Sequence, residues 1–290
     1  MSMRNFIYRG AAALALTLLL SLLALAPAHA LTPEAVQFDS HDGKTKLTAY
    51  VYKPDAPGPH PAIVALHGRT GLYSSRGRGF DANNLAPQKR MWGEFWAERG
   101  YLVLFVDTFG PRGYPAGFAA GTIKERPPEI NEITVRPLDA YAGLKYLRTR
   151  SDVVHDKVFL QGFSNGGSAT LSTMAVGAPG KPEGGNGFRA AIAIYPACIQ
   201  VGNFYGRHYK TYAPLVLLIG TQDQEVKPAN CTALAKSAKA NGSDLEIILY
   251  EGADHAYDTP IPRYQDVPAN AAASQDTKRR AEEFIRRYMQ

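Results

Sequence analysis

From Leu31 onward, short apolar runs alternate with longer stretches of helical period, and this alternation restricts the fold more than any other feature of the chain. PAIVALH, YLVLFVD, KVFLQG, AAIAIYP, PLVLLIG and LEIILYE read as six continuous strands of a sheet covered on both faces. Ahead of them, AVQFDS and KLTAYVY flank the turn signal Asp42-Gly43 and predict an antiparallel hairpin that opens the sheet. Four helices are predicted between and after these runs. Trp92, Phe95 and Trp96 fall at helical spacing before Gly100, which suits a left-handed C-terminal position. Leu138, Tyr141, Leu144 and Leu147 mark a second helix, and a third runs from Pro228 to about Asn241 and Gly242. Ala281, Phe284, Ile285 and Tyr288 share one face of the fourth. These stripes are core positions rather than cofactor contacts. Right-handed crossovers then make the economical fold an α/β one, with a doubly wound, mostly parallel sheet. With 290 residues, 45% of them hydrophobic, the chain can bury a substantial core.

Residues 69–90 and 108–135 fit no element, and both follow the carboxyl ends of strands. That edge is where open α/β sheets build their sites, so both loops are candidate pocket walls.

The first thirty residues read differently. Arg4 and Arg9 precede an apolar run from Ala11 to Ala26, followed by Pro27 and the small-residue site Ala28-His29-Ala30. This pattern predicts a secretory signal peptide over residues 1–30, cleaved after Ala30, leaving 31–290 as one domain. The run is short for spanning about 30 Å of hydrocarbon, and no later stretch is long enough to do so. A periplasmic or secreted protein without a stable membrane anchor is therefore expected. Losing Arg4 and Arg9 from 32 basic residues leaves a mild surplus over 26 acidic ones. No concentrated basic stripe points to nucleic acid. In an oxidising compartment the two cysteines, Cys198 and Cys231, are expected to form a disulfide, with two buried thiols as the alternative.

The sharpest chemical signal is QGFSNGGSAT, residues 161–170, where Gly162, Ser164 and Gly166 form G-x-S-x-G. Alone the motif is weak, but here it follows the strand KVFLQ and precedes a helix-compatible run, the setting in which such a serine projects above a sheet edge. A serine hydroxyl needs a base within hydrogen-bond reach and a group to orient that base. Asp223 follows PLVLLIG and His255 follows LEIILYE, so Ser164, Asp223, His255 occur in the chain order this turn requires. Asp107 precedes the serine, Asp254 adjoins the histidine, and Asp258 is a weaker alternative. His41, His60, His155 and His208 read as loop or surface residues, and His67 as structural. Acyl transfer also requires donors for the developing oxyanion. Backbone N–H groups of Arg69, in LHGRTG, and of Asn165 are the candidates. Arg69, Arg76, Arg78 and Arg112 would bias the mouth toward anionic substrates, with Arg112 a candidate substrate contact. There is no P-loop, dinucleotide fingerprint, H-E-x-x-H or C-x-x-C, so neither cofactor nor metal is expected.

In this order and spacing, LHGRTG, GFSNGGSA, TQD and GADHAYD resemble the dienelactone hydrolase family of α/β-hydrolases, over most of residues 35–289. The likeness is greatest to exported, serine-bearing members, which share the segment seen here as DTFGPRG, Asp107 to Gly113. The family's namesake enzymes use cysteine where this chain has Ser164 and an acidic residue where it has Gly68. The resemblance implies hydrolysis of a small ester or lactone without a cofactor, by the triad Ser164, Asp223 and His255. Alternatives on the same scaffold are a peptidase, a polyester or polysaccharide acyl-esterase, or a catalytically silent binding protein.

Overall fold

The computed structural model describes residues 32–290, so the expected leader, residues 1–30, lies outside the described residues. All eight predicted strands form: β1 (Glu34–Asp39), β2 (Lys46–Tyr52), β3 (His60–Leu66), β4 (Leu102–Asp107), β5 (Val153–Phe163), β6 (Ala191–Ile194), β7 (Leu215–Gly220) and β8 (Leu245–Tyr250). They make one sheet in the order β1-β2-β4-β3-β5-β6-β7-β8. β1 and β2 pair antiparallel as the hairpin signal predicts, β2 pairs antiparallel with β4, and all later pairings are parallel. The apolar runs are continuous because β4, β6 and β7 are buried at every position, whereas the edge strand β1 alternates toward exposure.

The helices are α1 (Pro87–Ala97), α2 (Arg136–Leu147), α3 (Asn165–Thr173), α4 (Cys198–Tyr205), α5 (Pro228–Ala240), α6 (Pro262–Gln265) and α7 (Pro268–Arg287). Predicted caps hold: Gly100 takes φ 84° beyond α1, and Pro228 opens α5. α1 anchors itself through two indoles that are buried yet satisfied, Trp92 Nε1 donating to Asp258 at 2.6 Å and Trp96 Nε1 to Gln161 at 2.7 Å. The sequence pattern does not mark α4, which is only eight residues long and buries just Cys198 and Val201, too few to set a period. Cys198 at its start is bonded to Cys231 in α5 at an S–S distance of 2.02 Å, so the expected disulfide joins two helices. Among the described residues no helix is long and apolar enough to cross a membrane.

The strand order itself locates a site. After β3 the chain moves outward to β4, then crosses back over to β5 on the other side of β3. The loops leaving β3 and β5 therefore diverge at the sheet's carboxyl edge and open a crevice between them.

Candidate active site

Both walls of that crevice come from glycine-bearing turns, and their packing explains the glycines. Ser164 directly follows β5 with φ 52° and ψ −117°, a left-handed conformation costing roughly 1–3 kcal/mol for a residue with a side chain. A Cβ on Gly162 would lie 2.1 Å from Gly166 O, and one on Gly166 would lie 2.1 Å from Leu66 O. Strand, turn and helix can approach this closely only without those carbons. A Cβ on Gly68 would lie 3.3 Å from Ser164 Cβ, so the turn after β3 abuts the serine. Tyr195 at φ 39° and Ala256 at φ 54° are the other non-glycine residues of positive φ among those described. All three line one cleft of about 560 Å³, where such strain concentrates at functional positions.

The three residues that the sequence reading groups are brought together. His255 Nε2 lies 2.9 Å from Ser164 Oγ, and His255 Nδ1 lies 2.7 Å from Asp223 Oδ2. Asp223 Oδ1 accepts the backbone N–H groups of Glu225 and Val226, both at 2.9 Å, which pins the carboxylate. Because that oxygen is occupied, Oδ2 is left to the imidazole. The competing acids have other work. Asp254 Oδ1 accepts the backbone N–H groups of His255 and Gln224, tying the two loops together. Asp258 is buried and accepts from Gln88, Tyr195 and Trp92. The Tyr195 ring in turn rests against His255 with centroids 4.8 Å apart. This is the geometry required for a base to take a proton from an alcohol.

Neither the Arg69 nor the Asn165 backbone N–H donates to a protein group among the described residues, and both turns border the cleft. His67 is fully buried behind the first turn. Thr108 N–H donates to its Nε2 at 3.2 Å, which leaves Nδ1 to donate to Gly68 O at 2.8 Å. Burial, together with the nearby Arg136 charge, holds its pKa well below 6.5, so it is a neutral structural group. His60, read as a loop or surface residue, is buried at the head of β3.

The arginines divide. Arg112, expected as a substrate contact, is turned away from the cleft. Its guanidinium, 4% exposed, bonds Asp42 at 2.7 Å, Asp139 at 2.8 and 2.9 Å, and Thr108 O at 2.7 Å. A buried carboxylate one helix away outcompeted the solvent-facing role. Arg69 forms a bidentate pair with Glu225 at 2.6 and 2.8 Å, and that pairing raises the arginine's pKa and lowers the carboxylate's. Glu225 also comes within 3.7 Å of His255 Nε2. Its proximity to Asp223 in TQDQE was the only signal available for it. Arg78 is not among the cleft-lining residues, whereas Arg76, Arg263 and the buried Lys89 line the cleft beside the paired Arg69. Of the two irregular loops, residues 69–90 supply most of one wall, while 108–135 contributes Pro115 and Ala116.

Arg136 escaped the sequence reading altogether. It is 0% exposed at the start of α2, with Nη1 donating to Asn165 Oδ1 at 2.5 Å and Nη2 to His67 O at 2.9 Å. Burial draws its pKa down to about 10, which still leaves a cation at neutral pH. A positive charge at a helix N-terminus opposes the helix dipole, and that mismatch was the available clue.

Fold and geometry define an α/β-hydrolase with a serine at its strand-to-helix turn. The profile of the dienelactone hydrolase family matches residues 47–289, and the chain belongs to that family of carboxylic ester hydrolases. No curated protein matches its sequence closely enough to count as a relative. Among solved structures it is similar to a candidate dienelactone hydrolase from Klebsiella pneumoniae, with a TM-score of 0.64 and 18% identity over 88% of this chain and 99% of that one. It is also similar to propionate-bound esterase 2 of Thermogutta terrifontis, with a TM-score of 0.59 and 22% identity over 89% of this chain and 95% of that one. The same esterase phosphorylated by paraoxon gives a TM-score of 0.59 at 21% identity, covering 89% and 94% of the two chains. At these identities the likeness concerns the fold.

Proposed function

We propose that the protein is an exported serine hydrolase of small carboxylic esters or lactones that works through an acyl-enzyme on Ser164. The observation that carries this is the unbroken hydrogen-bonded chain from Ser164 Oγ through His255 to Asp223. Ser164 Oγ attacks the ester carbonyl as His255 Nε2 takes its proton, and Asp223 stabilises the imidazolium that forms. Negative charge on the carbonyl oxygen is received by the N–H groups of Arg69 and Asn165. When the carbon–oxygen bond to the leaving group breaks, His255 returns the proton and an alcohol departs. Water, deprotonated by the same imidazole, then attacks the acyl carbonyl and releases the acid. In a lactone the leaving alcohol stays attached to the acyl group.

The cleft walls include Tyr73, Phe80, Phe163, Ile261 and Tyr264, which favours short acyl or aryl esters over polymers. A propionate complex of the Thermogutta esterase is in keeping with a short acyl group. The leader-like pattern of residues 1–30 and the Cys198–Cys231 disulfide support export. A fluorophosphonate probe should label the wild type on Ser164, and Ser164→Ala should lose turnover of a nitrophenyl acetate series while keeping its circular dichroism spectrum. Retained esterase activity in that variant would eliminate Ser164 as the nucleophile.

A further inference from the structure

We infer that Arg136 is a positioning residue for ester hydrolysis, a buried clamp that ties together the two segments carrying the oxyanion donors and places a positive charge behind them. This rests on the site reading above. The two donors belong to segments that do not otherwise share a rigid element: Arg69 lies in the turn after β3, Asn165 at the start of α3. Arg136 reaches both. One guanidinium nitrogen holds Asn165 Oδ1 and the other holds His67 O.

Peptide planarity converts those contacts into directions. In a trans peptide the C=O and N–H point opposite ways, so anchoring a carbonyl aims the N–H of the next residue. Arg136 anchors the plane between His67 and Gly68. The next plane is anchored through Gly68 O, which accepts from His67 Nδ1 at 2.8 Å and from Gly71 N at 3.1 Å. The Arg69 N–H belongs to that second plane and is turned away from the His67 ring. On the other side, fixing the Asn165 side chain fixes the residue whose N–H is the second donor.

Charge points the same way. Arg136 makes no ion pair within 4.0 Å among the described residues, and its nearest opposing charges, Asp139 and Glu132, act at longer range. Its Nε has no hydrogen-bond partner there. A buried cation with no directly bonded counter-charge is costly, and it is well placed to stabilise negative charge that appears only in the transition state.

The test is Arg136→Met and Arg136→Lys in the mature chain, each assayed on nitrophenyl acetate and titrated with an aryl trifluoromethyl ketone. Ser164 Oγ adds to that ketone's carbonyl carbon, the serine proton passes to His255, and the carbonyl oxygen becomes an anion facing the donors. The protonation of that anion is followed by fluorine NMR. Arg136→Met should lower kcat on the order of 100-fold with KM changed less than about threefold, the range seen when an oxyanion donor is lost. Arg136→Lys, which keeps charge but spans one acceptor, should recover part of the loss. In Arg136→Met the hemiketal oxyanion should take up its proton at a pH higher by about one to two than in the wild type, a kcat loss of that size converted at tenfold per 1.36 kcal/mol. A merely structural role would lower activity without moving that titration, and an unmoved titration overturns the inference. If Arg136→Met does not fold, Asn165→Ala cuts the same link from its other end and must shift the titration too. A labelled, active wild type with unshifted variants defeats this inference alone, whereas an unlabelled Ser164 defeats it together with the site reading.

Discussion

Replacing Arg112 by leucine separates two roles for one side chain. Arg112 bridges the partly buried Asp42 and the buried Asp139, and Asp139, which also accepts from Ser40 Oγ at 2.6 Å, is 0% exposed. Leucine removes four hydrogen bonds and leaves Asp139 without its directly bonded counter-charge, Arg136 acting on it only at longer range. Breaking one side of a buried ion pair costs about 3–5 kcal/mol, because the surviving charge stays desolvated. For a domain of this size each kcal/mol moves Tm by roughly 2–4 °C, so Tm should fall by on the order of 10 °C. The assay is paired: thermal and urea denaturation of a chain of residues 31–290, and KM for a neutral and an anionic ester below the melting range. KM should stay put for both esters, since the guanidinium does not face the cleft. Adding Asp139→Asn to Arg112→Leu should recover part of the stability by removing the orphaned charge. A variant of unchanged Tm whose KM rises for the anionic ester alone would refute this placement and restore Arg112 as a substrate contact.

Two further outcomes follow from buried features elsewhere. Changing both Cys198 and Cys231 to serine opens a loop of sequence separation 33, and the chain-entropy relation puts the loss at about 4 kcal/mol, read as a lower urea midpoint; an unchanged midpoint would contradict it. Lys89 is 4% exposed in the cleft wall, and burial lowers its pKa from 10.5 to about 8. Between those values the unfolded chain holds a proton that the folded chain has released, so stability from this group rises with pH across about 8 to 10.5. Lys89→Met should therefore be more stable than the wild type at pH 7, and the difference should shrink by pH 10; a less stable variant at pH 7 would show that the ammonium is held by its surroundings rather than merely buried.

Local pattern made much of this legible. The eight strands, the four longer helices and the left-handed Gly100 all follow from periodicity and turn chemistry over a few residues. Ser164, Asp223 and His255 could be grouped before any coordinates because each follows a strand, and strands of a parallel sheet end on one edge. What escaped was of another kind. Arg136 looks like any charged residue at the start of a surface helix, yet it is wholly enclosed. Arg112 sits in a motif-like segment and looked like a ligand for substrate, but Asp42 and Asp139 claim it from 70 and 27 residues away.

The amino-acid sequence by itself thus determined the strands, the four longer helices, the hairpin and the residues that end on the carboxyl edge, because backbone propensity and side-chain period are properties of neighbours along the chain. Only the tertiary structure decided that β4 lies between β2 and β3, which partner each buried charge takes, and that Glu225 reaches Arg69 across 156 residues. Those outcomes depend on competition among distant groups for the same interior space and the same hydrogen bonds, and that competition is resolved only when the chain is packed.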